Sequence, residues 1–127
     1  MRSRAKEQLR ALTRLAGLLR DTALAEHARA QARLATIADE LAALERQIDS
    51  CATAWASQED DRSPDPLAAL AAEHHRQWCA ARIAALRKQF EEAESLCALT
   101  RQSAARAQGR AEVLGKLARQ PHHRARG

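Results

Sequence analysis

The sequence predicts an all-α fold: two long helices forming an antiparallel coiled-coil hairpin. Three observations carry that expectation: an alanine-rich, aromatic-poor composition, two stretches of apolar residues in heptad-like rhythm, and a proline-bearing break between them. Thirty-one of the 127 residues are alanine, against one Phe, two Trp and no Tyr. Aromatic side chains bury the most area each, so a thick core in a chain of this length would use more of them. Alanine favours the helix and lets two helices approach closely, which suits a thin helical rod. Four glycines and three prolines are too few for a β-rich chain full of turns.

The first helix is expected over about residues 4–59. Leu34, Ile37, Leu41, Leu44, Ile48, Cys51 and Trp55 alternate spacings of three and four, the seam of a coiled coil. Leu9, Leu12, Ala16 and Leu19 keep the same rhythm nearer the start. Ala23 and His27 then give successive spacings of four, a stutter that relaxes the supercoil locally.

A bend is expected over 60–65, within Asp60-Asp61-Arg62-Ser63-Pro64-Asp65-Pro66. Asp65 is a good N-cap, and Pro66 falls at the first helical position, where a missing N–H costs nothing. The second helix, expected over 66–119, carries Ile83, Leu86, Phe90, Ala93, Cys97, Thr100, Ala104, Ala107, Ala111 and Leu114 in the same alternation. The two helices make one hairpin domain over 1–120, and the basic tail 121–127 is expected to be disordered.

Folding at the bend pairs residues whose numbers add to about 127. Ile37 then meets Phe90, Leu41 meets Leu86, Leu34 meets Ala93 and Ala23 meets Ala104. Leu12 falls against Leu114 and Leu9 against Leu117. Every layer sets apolar against apolar, often large against small, as interdigitating helices require. Gly17 comes opposite Gly109, with Gly115 further along. Such mid-helix glycines read either as a close approach of two backbones or as a soft place where a partner bends the helices.

Charge is segregated. Residues 1–20 hold six Arg/Lys and one acid, and residues 101–127 hold seven and one, whereas residues 21–100 hold eight bases and fourteen acids. An antiparallel hairpin brings both basic segments together, and like charges side by side repel. A solvated face explains such a run, and so does an acidic partner, either a protein cavity or nucleic acid. Against nucleic acid, the basic segments lack aromatic interleaving and any zinc-finger, homeodomain or RRM signature.

Several function classes drop out. No apolar run is long enough to span a membrane. Glu7, Arg10 and Arg14 interrupt any secretory apolar region, and the helical pattern continues unbroken past what could pass for a transit peptide. Cys51, Cys79 and Cys97 have no zinc spacing and read as reduced, half-buried small residues, which points to the cytoplasm. His75 and Cys79 stand one helical turn apart, but two ligands do not make a metal site. His74 and His75 point to different faces, and His122 and His123 fall in the tail. A two-helix rod offers no catalytic pocket, and there is no Gly-rich phosphate loop, so no cofactor and no small-molecule substrate is expected. Near the bend, Trp55 is followed across the break by Leu67, Leu70, His74 and Trp78. These large residues either plug the end of the coiled coil or form a binding face, since Trp is enriched at interaction hot spots.

Two fragments carry a resemblance: Leu12-Thr13-Arg14-Leu15-Ala16-Gly17-Leu18-Leu19-Arg20, leading into an Ala-rich helix, and the closing Arg110-Ala111-Glu112-Val113-Leu114-Gly115-Lys116-Leu117-Ala118-Arg119. The pattern, over roughly residues 5–120, resembles the FliJ family of flagellar export and its YscO-type (SctO) counterparts in type III secretion. The closing run is similar to that family's basic "VLEKL"-like ending, with Gly115 where Glu is common. The resemblance implies a non-enzymatic stalk in the cytoplasm, peripheral to the inner membrane through the secretion apparatus. The end holding both basic segments would enter a hexameric export ATPase, with Arg10, Arg14, Arg106, Arg110, Lys116 and Arg119 as the ATPase contact. The bend end would reach the export-gate membrane protein through Leu67, Leu70, His74 and Trp78, and secretion chaperones are further partners of some relatives. A nucleic-acid-binding helical module and a generic coiled-coil scaffold are the alternatives that composition and charge leave open.

Overall fold

The computed structural model describes residues 2–58 and 65–120. Its elements are α1 (Arg2–Gln58) and α2 (Pro66–Arg119), packed against each other, with no strand among the described residues. The fold is all-α. No described helix is long and apolar enough to cross a membrane. The bend up to Pro64, the side chain of Trp55 and the tail 121–127 with His122 and His123 lie outside the described residues.

Local chemistry sets the helix ends. Asp65 caps α2: its Oδ1 accepts the Leu67 N–H at 3.0 Å and its carbonyl accepts the Ala69 N–H at 3.0 Å. Pro66 opens the helix at a position where an N–H would have no intrahelical partner to lose. Lys116 and Arg119 occupy the last turn, complementing the negative end of the helix dipole. α1 has no such support, for no acid stands in its first turn, which holds Arg2 and Arg4.

The chain divides into two compact units, residues 32–94 and residues 1–31 with 95–127. In the central unit (32–94), Ile37, Leu86 and Ala93 are buried, and Leu34, Leu41, Leu44 and Phe90 pack on them. These are the residues that the pairing rule brings together. Cys79 and Ile83 extend the buried face of α2. Two ion pairs flank the unit's seam, Arg82–Glu40 at 3.3 Å and Arg87–Glu45 at 3.4 Å. Glu40 and Arg82 each precede a seam residue (Leu41, Ile83), while Glu45 and Arg87 each follow one (Leu44, Leu86). Like flank meeting like flank is what an antiparallel pair produces. All four side chains are substantially exposed, so each pair contributes less than about 1 kcal/mol.

The other unit (1–31 with 95–127) is basic: fourteen Arg/Lys against four acids, compared with seven against twelve in residues 32–94. Its seam is thin. Ala16, Ala30 and Ala104 are buried, and Ala23, Ala107 and Ala111 are half-buried. His27 Nδ1 lies 2.9 Å from Thr100 Oγ1, two residues whose numbers add to 127.

Here the structure corrects the sequence reading. The covered positions of α1 include Leu9, Thr13, Ala16, Arg20, Ala23, His27, Ala30, Leu34, Ile37, Leu41, Leu44 and Ile48, which alternate four and three, while Gly17, Ala38 and Ala42 beside them are partly covered too. There is no stutter. Leu12 and Leu19, expected in the seam, are 52 % and 54 % exposed. Thr13 and Arg20 take their places, Thr13 returning its hydroxyl to the Leu9 carbonyl at 2.7 Å and Arg20 pairing with Asp21 at 3.1 Å. The heptad phase carried by Leu34, Ile37, Leu41 and Leu44 runs back along one continuous helix. Shifting to Leu12 and Leu19 would break that phase for no gain against alanines. The bend-proximal seam was also overextended, since Cys51 is exposed.

The glycines do not mark close backbones. A Cβ on Gly17 would meet only Arg20 Nη2 at 3.9 Å, one on Gly115 only the Arg119 guanidinium at 3.4 Å, and one on Gly109 nothing. Arginines of the same helix lie over Gly17 and Gly115, and Gly109 opens onto free space.

Candidate protein-docking site

Three of the leucines that the seam excludes gather on one side of the basic unit. Leu12, Leu15 and Leu19 of α1 and Val113 of α2 line an open trough of about 600 Å³, with Arg106 and Arg110 along it. The trough follows from the heptad phase. Leu12, Leu19 and Arg110 each stand one residue before a seam position (Thr13, Arg20, Ala111), so an antiparallel pair sets them on the same flank. Leu15, Arg106 and Val113 also stand one residue before seam positions (Ala16, Ala107, Leu114) and widen that flank outward. Gly109 contributes bare backbone to the wall, and half-buried Leu114 helps to form the floor. Small seam residues keep the two helices close while large residues stand beside them, so a groove forms where the seam is thinnest. More than half of each of Leu12, Leu15, Leu19 and Val113 remains open to water. Monomeric surfaces rarely leave apolar side chains contiguous in this way unless something covers them.

The structure brings together only part of the predicted ATPase contact. Arg106 and Arg110 share the trough. Arg10, Arg14, Lys116 and Arg119 are exposed on the same unit but are absent from its lining. Arg10 stands at a position following the seam residue Leu9, on the opposite flank, and Arg119 folds back over Gly115. These six are a charged surface around the unit rather than one patch. The signal that sequence reading missed was the one-residue offset of Leu12 and Leu19 from the phase set by Leu34 and Ile37. Extending that phase backwards would have exposed it.

The second predicted set lies on the central unit. Leu67, Leu70 and Trp78 are 76 %, 53 % and 59 % exposed, and His74 is exposed too. They recur at spacings of three and four on the face of α2 away from its seam. Trp78 therefore does not plug a coiled-coil end. It stacks at 6.5 Å on His75, whose Nε2 lies 3.5 Å from the buried Cys79 Sγ. No group of three metal-ligating side chains converges among the described residues. Beside this face Glu73 bonds to Arg76, and that hydrogen bond, opposed by slight desolvation and aided by the guanidinium's charge, holds the Glu73 carboxyl below the ordinary glutamate range. Cys79 is buried, Cys97 partly buried and Cys51 exposed, all three as free thiols.

No protein-family model, no curated protein and no solved structure matches this chain.

Proposed function

We propose that the chain is a non-enzymatic coiled-coil stalk of a type III protein export apparatus, flagellar or virulence-type, coupling a hexameric export ATPase to the export gate. The observation that carries this reading is the division of charge between two helical units, one basic and bearing an apolar trough, the other net acidic and bearing an exposed Trp stripe. The basic unit suits an acidic ring lining, whose low-dielectric walls would focus its negative field on the arginines. The Leu67, Leu70, His74 and Trp78 stripe suits the cytoplasmic domain of the gate protein, with a Trp as its anchor. The resemblance of the Leu12–Arg20 and Arg110–Arg119 fragments to the FliJ and YscO-type proteins supports the same assignment, and would imply a cytoplasmic location with secretion chaperones as further partners.

The test is ATP hydrolysis by the cognate export ATPase with and without the purified chain. Stimulation by the wild type, lost on reversing charge at Arg106, Arg110 and Lys116, supports the stalk. No stimulation by the wild type overturns it. A nucleic-acid-binding module would draw on the same basic unit, and would be recognised by binding that falls steeply with added salt. The apolar trough argues against it, since phosphate backbones have no use for exposed leucines. A self-associating scaffold would be recognised by a dimer in sedimentation.

A further inference from the structure

The trough invites a more specific statement, independent of the stalk reading because it concerns what lies in the groove rather than which apparatus the chain serves. The geometry points to a side-on docking site for a third α-helix, contributed by another protein, with an apolar stripe edged by Asp and Glu. Three observations fix that occupant.

The first is form. Leu12 and Leu19 stand two helical turns apart on α1, and Arg106 and Val113 two turns apart on α2. The flank of α2 continues with Leu99, two turns before Arg106, and with Leu96, both exposed and in the same unit. An apolar groove between two helices with this periodicity takes a helix whose apolar residues recur at i, i+3, i+4 and i+7. The bare backbone at Gly109 gives room for a large side chain of the incoming helix.

Charge is the second. Arg106 and Arg110 lie along the apolar lining, in a unit with fourteen basic residues and four acids. Carboxylates edging the stripe would meet guanidiniums, whereas lysines there would meet like charge.

The third excludes the nearest alternative. A second copy of this chain would bring the same basic unit against itself, because a two-fold contact pairs a patch with its own duplicate. Like-charge juxtaposition then opposes the contact that the leucines favour.

The probe is a fluorescein-labelled designed peptide of about 21 residues, six turns, with Leu at its two apolar heptad positions and Glu at the positions beside them. One control replaces those Glu with Lys, and another keeps the composition but scatters the Leu around the helix. Anisotropy titrations use the whole chain, and circular dichroism checks that each variant stays helical. Saturable binding of the Glu-edged peptide is expected, with roughly tenfold or greater loss for either control. Gly109→Trp, which fills the trough, and Leu15→Gln, which removes an exposed apolar contact, should each weaken it by about the same factor. Arg106→Gln with Arg110→Gln should erase the preference for Glu over Lys. Binding that the scattered-Leu peptide reproduces, or that Gly109→Trp leaves intact, overturns the proposal, as does failure of the Glu-edged peptide to bind. A chain that sediments as a dimer and becomes monomeric on Leu15→Gln overturns it too, by assigning the trough to a second copy.

Discussion

His27 of α1 and Thr100 of α2 meet across the seam of the basic unit, Nδ1 to Oγ1 at 2.9 Å. The Thr100 hydroxyl also lies 3.1 Å from the Cys97 carbonyl, to which it donates, so His27 Nδ1 is the donor across the seam. Among alanines that fit many registers equally well, a paired polar contact is what distinguishes one alignment from its neighbours. Thr100→Val keeps the shape and leaves that imidazole N–H without its acceptor. It should lower stability in urea unfolding by about 0.5–1.5 kcal/mol. Paired with His27→Ala in a double-mutant cycle, the coupling should be of the same order. A coupling near zero would remove the pair from the account of register.

Leu86 and Leu19 form a contrasting pair. Leu86 is fully buried in the central cluster, while Leu19 is more than half exposed beside an alanine seam. Leu86→Ala should cost about 2–4 kcal/mol, and Leu19→Ala within about 0.5 kcal/mol of nothing. Comparable losses for the two would mean that Leu19 belongs to the seam after all.

Gly109 should be improvable. A Cβ there touches nothing, and alanine is the better helix former. Gly109→Ala should therefore raise stability by about 0.5–1 kcal/mol. Gly115→Ala should gain less, because its Cβ would displace the Arg119 guanidinium from 3.4 Å. A loss at Gly109 would restore the idea that two backbones approach there.

Glu73 should titrate below the ordinary glutamate range in a carboxyl-resolved NMR titration, because Arg76 bonds to its charged form. With the folded value depressed, the pair's contribution to stability is present above the unfolded glutamate pKa and is lost as pH falls through the folded one. Arg76→Gln should return Glu73 to the ordinary range. If it does not, Arg76 is not the cause.

Thiol labelling should resolve three classes: Cys51 at once, Cys97 more slowly, and Cys79 only as fast as the helices open. Prompt reaction of Cys79 would contradict the packing of the central unit.

Much of this architecture could be read from sequence because it rests on repetition. The seam of α2 from Ile83 to Leu114 is covered at every position expected, and Asp65 and Pro66 announce the start of α2 through cap chemistry alone. The seam of α1 was legible where Leu and Ile dominate, from Leu34 to Ile48. It failed at Leu12 and Leu19, where hydrophobicity and phase disagree, though Ala16 between them is buried as expected. A reading that follows the largest apolar side chain chooses leucine, whereas the folded helix keeps the phase set by its strongest core and seats Thr13 and Arg20. The trough was hidden for the same reason, since the sequence pattern puts Leu12 and Leu19 in the interior. Exposure of Trp78 was equally out of reach, because whether a Trp near a helix start turns inward depends on a phase set many residues away.

The central proposal is that coupling to an export ATPase passes through the basic unit. Its most direct test is steady-state ATP hydrolysis by the cognate export ATPase with three chains: wild type, Arg106→Glu with Arg110→Glu, and Trp78→Ala. Stimulation by the wild type and by Trp78→Ala, with none from the double charge reversal, is the result the account predicts. Stimulation that survives the charge reversal, or that is absent with the wild-type chain, would contradict it.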